Sequence, residues 1–237
     1  WTPSYAGGNN RMDFLLKDHL QAAFNEQDSW DFGTARFYAH YAQDFAYADV
    51  NNVMNFLDNH DIDRFSVAVK RDVKKFKMGL AHLITTRGYP QIYAGTEIML
   101  DGIWGNYEGH RFDFIGGWKE DARNAFTQEG RTDEENEIFD YLRSLLQFRK
   151  NATALHTGKM TQFIPYDGIY VFARYNDNQT VLIITNNNED EKTISLDRYK
   201  EIIKDYKSGY EVTTNKNYPL HLGLQIPGKT CFVLNLN

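Results

Sequence analysis

Apolar positions change their spacing once along this chain, from a helical repeat up to about residue 150 to strict alternation beyond it. Met12-Asp13-Phe14-Leu15-Leu16 is a short apolar run closed by Lys17-Asp18-His19, the pattern of a buried strand with polar groups at its C-terminal end. After the turn-prone stretch 28–33, Phe32, Ala35, Tyr38, Ala42 and Phe45 recur at helical spacing. Val53 to Leu57 is the second expected strand and runs into Asp58-Asn59-His60-Asp61. In the helix that follows, Val73, Phe76, Leu80, Leu83 and Ile84 share one face, and Lys70, Lys74, Lys75 and Lys77 mostly turn outward. Gly88 and Pro90 stop that helix, and Gln91-Ile92-Tyr93-Ala94 is the third strand, ended by Gly95.

A long loop, roughly 100–131, comes next and is rich in Gly, Asp, Trp and Phe. Loops of that length inside a compact domain usually carry function. Thr132 then opens a helix with Glu135 three residues on, a capping box, and Ile138, Tyr141, Leu142, Leu145 and Phe148 form its apolar stripe. Short strands are expected at 161–164, 169–175, 181–185, 192–195 and 230–236, separated by turns at Asp167-Gly168, Asn176-Asp177-Asn178 and Asn186-Asn187-Asn188.

Alternating strands and helices predict a parallel sheet. Three such units cannot close a (β/α)8 barrel, and an open parallel sheet of three strands leaves apolar edges. The expected fold is therefore an α/β portion, residues 1–151, forming about strands six to eight of a (β/α)8 barrel, followed by an all-β antiparallel sandwich domain at 152–237.

Composition narrows the partners. The 237 residues are 42% hydrophobic and 24% charged, as in an ordinary globular protein. Net charge is −6, with no basic footprint for nucleic acid. No apolar run approaches the roughly 20 residues that span a bilayer, so no membrane partner is expected. Cys231 stands alone, which excludes an internal disulfide and a cysteine metal site. The histidines are scattered without metal-site spacing, and Asp101-Gly102 through Asn106 lacks the spacing of a calcium loop. Aromatic residues reach 15%, many in expected loops, which suits stacking on sugars as well as packing.

The segment Phe56-Leu57-Asp58-Asn59-His60-Asp61-Ile62-Asp63-Arg64 places four polar groups at the C-terminal end of an apolar strand, where parallel α/β folds put active sites. It resembles the seventh-strand motif of the alpha-amylase family, F-x-D/N-N-H-D. Further on, Gly88-Tyr89-Pro90-Gln91-Ile92-Tyr93-Ala94-Gly95-Thr96-Glu97 resembles that family's eighth-strand sequence, G-x-P-x-I-Y-Y-G-T-E. The stretch 111–118, with Asn124-Ala125-Phe126-Thr127 and Gly130-Arg131-Thr132, looks most like bacterial cyclomaltodextrinases and neopullulanases, and the terminal strands resemble those enzymes' C-terminal sandwich.

The resemblance implies a retaining glycosidase whose substrate is an α-glucan oligosaccharide. Such enzymes pair an Asp nucleophile after strand four with a Glu acid/base after strand five, about 5–5.5 Å apart. A third carboxylate on strand seven grips the hydroxyls of the glucose being cleaved, and by position it is Asp61, beside His60 on the same sugar. Arg64 either ion-pairs near this cluster, against the substrate, or pins the loop.

No strand-four G-x-R-x-D and no strand-five G-E precede the Asn-His-Asp segment. The chain begins at Trp1 without Met and is expected to start partway through a longer protein, just after the acid/base residue, with Trp1 an aromatic platform on the leaving-group side. As it stands it is expected to be inactive, and its open barrel edges invite self-association.

Arg111 matches an arginine that reaches a sugar on the non-reducing side, although Tyr107 replaces the usual acid four positions earlier. Trp104, Tyr107 and Trp118 are further stacking candidates, the last fitting a packing role under the loop equally well. Glu97 reads as structural, and Asp18 and His19 as cleft residues or helix caps. These residues call for no cofactor; calcium in an intact parent stays open, since the family holds it in a part preceding this stretch. Two rival readings are a transglycosylase of the same family and a non-catalytic carbohydrate-binding module using Tyr166, Tyr170, Tyr206 and Tyr210.

Overall fold

The computed structural model describes residues 11–103, 105 and 111–237; Trp1, Trp104 and Tyr107 lie outside the described residues. Strand β1 (Arg11–Met12) ends sooner than its apolar run suggests. Asp13 takes the N-cap position, its Oδ1 accepting the Leu16 N–H at 2.9 Å, so the chain turns directly into α1 (Phe14–Asn25). Leu16, Leu20, Ala23 and Phe24 then form the buried face of that helix, where a strand had been expected. Asp18 and His19 thus belong to α1 and are not at a strand end; Asp18 pairs with Lys17.

Helix α2 (Ala35–Tyr41) buries Phe37, His40 and Tyr41, whereas Phe32 and Phe45 of the expected stripe are exposed. Strand β2 (Val53–Asn55) leads through the Asn-His-Asp segment into α3 (Phe65–Ala68). Asp72 caps α4 (Val73–Thr85) by accepting the Lys74 and Lys75 N–H groups. Strand β3 (Tyr89–Pro90) lies just ahead of the expected 91–94, and the Gln91 N–H still donates to Asn55 O at 2.7 Å. Gly88 makes the entry possible: its φ is +81°, and a Cβ there would run into the Val53 carbonyl.

The three strands form a parallel sheet, β1-β2-β3, with Met12 opposite Met54 and Met54 opposite Tyr89. Strand β2 is therefore central, and its C-terminal end carries the motif.

Helix α5 (Asp133–Asn151) has the expected capping box, with Thr132 and Glu135 bonded reciprocally, and buries Ile138, Leu142 and Leu145. It leads through α6 (Thr153–Thr157) to a six-stranded antiparallel sheet of order β4-β5-β6-β11-β8-β9. These strands are β4 (Lys159–Tyr166), β5 (Ile169–Asn176), β6 (Gln179–Asn186), β8 (Ser208–Glu211), β9 (Lys216–Pro219) and β11 (Thr230–Leu236). β7 (Lys192–Ile194) pairs with β10 (Leu224–Ile226), and α7 (Lys200–Ile203) follows β7. Strands β8, β9 and β10, of four, four and three residues, lie outside the strands expected from the sequence.

Both faces of the large sheet are covered, which explains why β5 and β6 are almost wholly apolar. Tyr170, Phe172, Val181 and Ile183 join one core with Phe37, Tyr41 and the helices, while Val171, Ala173, Leu182 and Ile184 join a second with Ile194 and Ile226. In the first core, His82 Nε2 meets Thr185 Oγ1 at 2.8 Å and ties α4 to β6. A second buried tie is Arg87, whose Nη1 donates to Asp13 Oδ2 at 2.9 Å and whose Nη2 donates to Asp44 Oδ1 at 2.8 Å.

Candidate active site

The loop after β2 is built in two layers, a buried one that fixes it and an exposed one that offers chemistry. Phe56 sinks against Phe14 with ring centroids 4.9 Å apart, and Leu57 joins the first core. Asp58 is buried, and its two oxygens accept the Phe65 N–H at 3.0 Å and the Thr96 hydroxyl at 2.8 Å. Burial raises the Asp58 pKa above the usual carboxylate value, because these donors and nearby Arg64 only partly offset the loss of water. Asn59 is also buried, and its Oδ1 accepts the Asp61 N–H at 2.8 Å. This Asx turn throws His60 and Asp61 outward.

The two side chains are 61% and 62% exposed, with His60 Nε2 3.3 Å from Asp61 Oδ2. Arg111, from the long loop, closes the cluster. Its Nη2 donates to Asp61 Oδ1 at 3.2 Å and its Nε to the His60 carbonyl at 3.0 Å. Being exposed, this ion pair contributes at most about 1 kcal/mol to stability; it orients the carboxylate.

Arg64 lies underneath. It is 1% exposed, its guanidinium sits 4.0 Å over the Tyr93 ring, and its Nη1 is 4.0 Å from Asp58 Oδ2. Burial lowers its pKa. The backbone N–H of Arg64 donates to Gly102 O at 2.8 Å, stitching the motif to the following loop. A sugar contact by Arg64 does not fit this burial; loop anchoring does. Tyr93 and Thr96, in the eighth-strand motif, are the supports that sequence reasoning overlooked, because neither has a telltale spacing to Asp58 or Arg64.

Glu97 accepts the Gly95 N–H at 2.7 Å, holding backbone as expected. Trp118 is exposed, not tucked under the loop, and its Nε1 donates to Asp113 at 2.9 Å. Of the tyrosines considered for carbohydrate binding, Tyr170 is wholly buried and Tyr206 partly so, with its hydroxyl on Thr180. Tyr166 is exposed. Gly109-His110-Arg111-Phe112-Asp113 spells the letters G-x-R-x-D, but it follows β3, whereas the family's nucleophile stands ahead of the Asn-His-Asp segment. Among the described residues no group of three His, Cys, Asp or Glu side chains could hold a metal ion, and no helix is long and apolar enough to cross a membrane.

Residues 4–182 match the alpha amylase catalytic domain, and residues 160–235 match the cyclo-malto-dextrinase C-terminal domain. The chain belongs to the alpha-amylase family. Among curated relatives it is 29% identical to a cyclomaltodextrin glucanotransferase of Geobacillus stearothermophilus over 180 residues, 76% of this chain and 22% of that protein. It is 26% identical to an alpha-amylase of Niallia circulans, over 76% of this chain and 30% of that protein.

The fold matches an alpha-amylase from Geobacillus thermoleovorans, solved in complex with acarbose, with a TM-score of 0.77 at 22% identity, covering 99% of this chain and 49% of that one. An Anoxybacillus alpha-amylase gives 0.79 at 23% identity, over 99% and 50%. The fold is thus part of an alpha-amylase catalytic domain joined to a C-terminal antiparallel sheet domain, and the chain spans less than a third of the length of these curated relatives.

Proposed function

We propose that this chain forms part of an α-glucan-active enzyme that cleaves α-1,4-glucosidic bonds in cyclodextrins, maltodextrins or pullulan with retention, residues 1–151 lying in the barrel and 152–237 in the C-terminal domain. The observation that carries the reading is Asp61. Its carboxylate stands exposed beyond the C-terminal end of the central parallel strand, aimed by the Asn59 turn and held by Arg111. There it accepts hydrogen bonds from the hydroxyls of the distorted glucose ring, bonds that strengthen toward the oxocarbenium-like transition state.

His60 donates to the same sugar, and Arg111 reaches the next one on the non-reducing side. Trp1, Trp104 and Tyr107 are proposed aromatic contacts along the glucan. The nucleophile and acid/base come from outside these residues, so the 237 residues alone are expected to leave maltodextrins intact. Among the described residues β1 and β3 are the outer strands of the parallel sheet, and self-association through them is proposed, which sedimentation of the purified chain would read as concentration-dependent mass.

The deciding experiment is Asp61→Asn in a full-length protein containing this sequence. The expected result is a fall in kcat of at least about a hundredfold with KM little changed, since the lost interaction is made mainly in the transition state. Unaltered turnover of maltoheptaose would reject the assignment. Transfer in place of hydrolysis is a second reading, favoured by the cyclomaltodextrin glucanotransferases among the relatives. Cyclic or lengthened products from maltoheptaose would identify it.

A further inference from the structure

Asp58 is bonded to two neutral donors although a cation stands beside it. Its Oδ1 accepts the Thr96 hydroxyl at 2.8 Å and its Oδ2 accepts the Phe65 N–H at 3.0 Å. Arg64 Nη1 stops 4.0 Å from Oδ2, beyond hydrogen-bond reach. The guanidinium is laid instead 4.0 Å over the Tyr93 ring, and among the described residues its Nε and Nη1 are buried with no acceptor. Asp58, Arg64 and Thr96 are each no more than 2% exposed, so chain packed onto this piece from elsewhere would cover the cluster without entering it.

A carboxylate–guanidinium bond is stronger than one to a hydroxyl or an amide, and buried N–H groups without acceptors are costly. A stronger partner for Asp58 therefore stands 4.0 Å away, unused. Two residues of the segment after β3 keep the pair apart: Thr96 occupies Oδ1, and Tyr93 holds the guanidinium flat against its ring.

The choice of partner bears on Asp61. Asp58 closes the 58–65 stretch through the Phe65 N–H, and its neighbour Asn59 accepts the Asp61 N–H at 2.8 Å. A carboxylate turned onto Arg64 slackens the Phe65 bond, shifts Asn59 and swings the exposed Asp61.

We propose that Thr96 is a positioning residue: its hydroxyl holds Asp58 off Arg64 and so keeps the loop in the one of two bonded arrangements that aims Asp61 at the sugar. It rests on the α-glucan reading above for what Asp61 does, and on this cluster alone for which bond Asp58 makes.

The test is Thr96→Val, which removes the hydroxyl and keeps the shape, in a full-length protein containing this sequence, with Thr96→Ser beside it. Thr96→Val should lower kcat on maltoheptaose about ten- to a hundredfold with KM changed less than about twofold, since a misaimed group acts mainly on the transition state. Thr96→Ser should recover most of that loss. The urea midpoint should move little in either variant, because the bond to Arg64 replaces the one removed. A crystal structure of Thr96→Val should show Arg64 within about 3.2 Å of Asp58 and off the Tyr93 ring.

Unchanged kcat overturns the inference, and so does a kcat loss that follows a lowered urea midpoint, the mark of plain destabilisation. Should Thr96→Val not fold, Tyr93→Leu frees the guanidinium from the other side and should give the same loss of kcat, with Tyr93→Phe restoring it. Parent-like kcat in Tyr93→Leu is equally fatal. Failure of the α-glucan reading is a separate result, in which the parent itself leaves maltoheptaose intact. The crystal structure of Thr96→Val then still decides, since an Arg64 remaining 4.0 Å from Asp58 refutes the exchange of partners.

Discussion

The Asp58 carboxylate and the Phe65 backbone N–H meet at 3.0 Å across the base of the loop that carries Asp61. The stretch 58–65 is thereby closed into a ring whose buried side is Asp58, Asn59 and Arg64 and whose exposed side is His60 and Asp61. The exposed groups are held by a base that the solvent does not reach.

Removing that base should cost more than removing anything on the rim. Asp58→Ala leaves the buried Arg64 guanidinium and the Phe65 N–H without their partner, and should destabilise the chain by about 3–5 kcal/mol. Asp58→Asn keeps an acceptor and should cost less. Urea unfolding of both variants measures the difference; equal midpoints would mean the ring is not closed through this carboxylate.

Arg87 is the larger structural commitment. Burial works against its charge, but hydrogen bonds and attraction from Asp44 and Asp13 hold its pKa above the ordinary value. Asp13 in turn overcomes its own burial through His40 and Arg87, and stays below the usual carboxylate range. Arg87→Met should lose about 3–5 kcal/mol, and Arg87→Lys should recover only part of it, since one ammonium cannot span both carboxylates as the forked guanidinium does. Thermal unfolding of the two variants reads this directly.

His82 makes the fold sensitive to acid. Its burial pushes the pKa down to about 3, against about 6.5 for an exposed imidazole. The unfolded chain therefore takes up a proton below about pH 6.5 that the folded chain refuses. The His82 contribution is fully present above that pH and drains away as pH falls toward 3, by on the order of 4 kcal/mol at the end. His82→Gln should flatten this part of the stability curve, which denaturant unfolding at a series of pH values would show.

Gly88→Ala should be among the costlier single-methyl changes in the chain. The positive φ and the Val53 carbonyl both oppose a Cβ there, and a loss of at least about 2 kcal/mol is expected. A melting temperature within a degree of the parent would show that the β2–β3 approach can relax.

Much of this was legible from the chain alone. The capping box at Thr132 and Glu135, the helix at 73–85 and the strand at 230–236 are written in local pattern, because caps and apolar periodicity act over a few residues. The two motifs fixed the family and put Asp61 at a strand end. Local pattern misjudged Met12 to Leu16, where an apolar run fits either period and Asp13 decided for a helix by capping it. The fold also exposes Phe45 and buries His82 contrary to type, since burial depends on what packs from elsewhere. That Arg64 serves the loop from below, that Arg111 returns to Asp61, and that Thr96 holds Asp58 were decided only by tertiary structure. Each joins groups far apart in sequence, and such distances are set by how layers pack, not by which residues are neighbours along the chain.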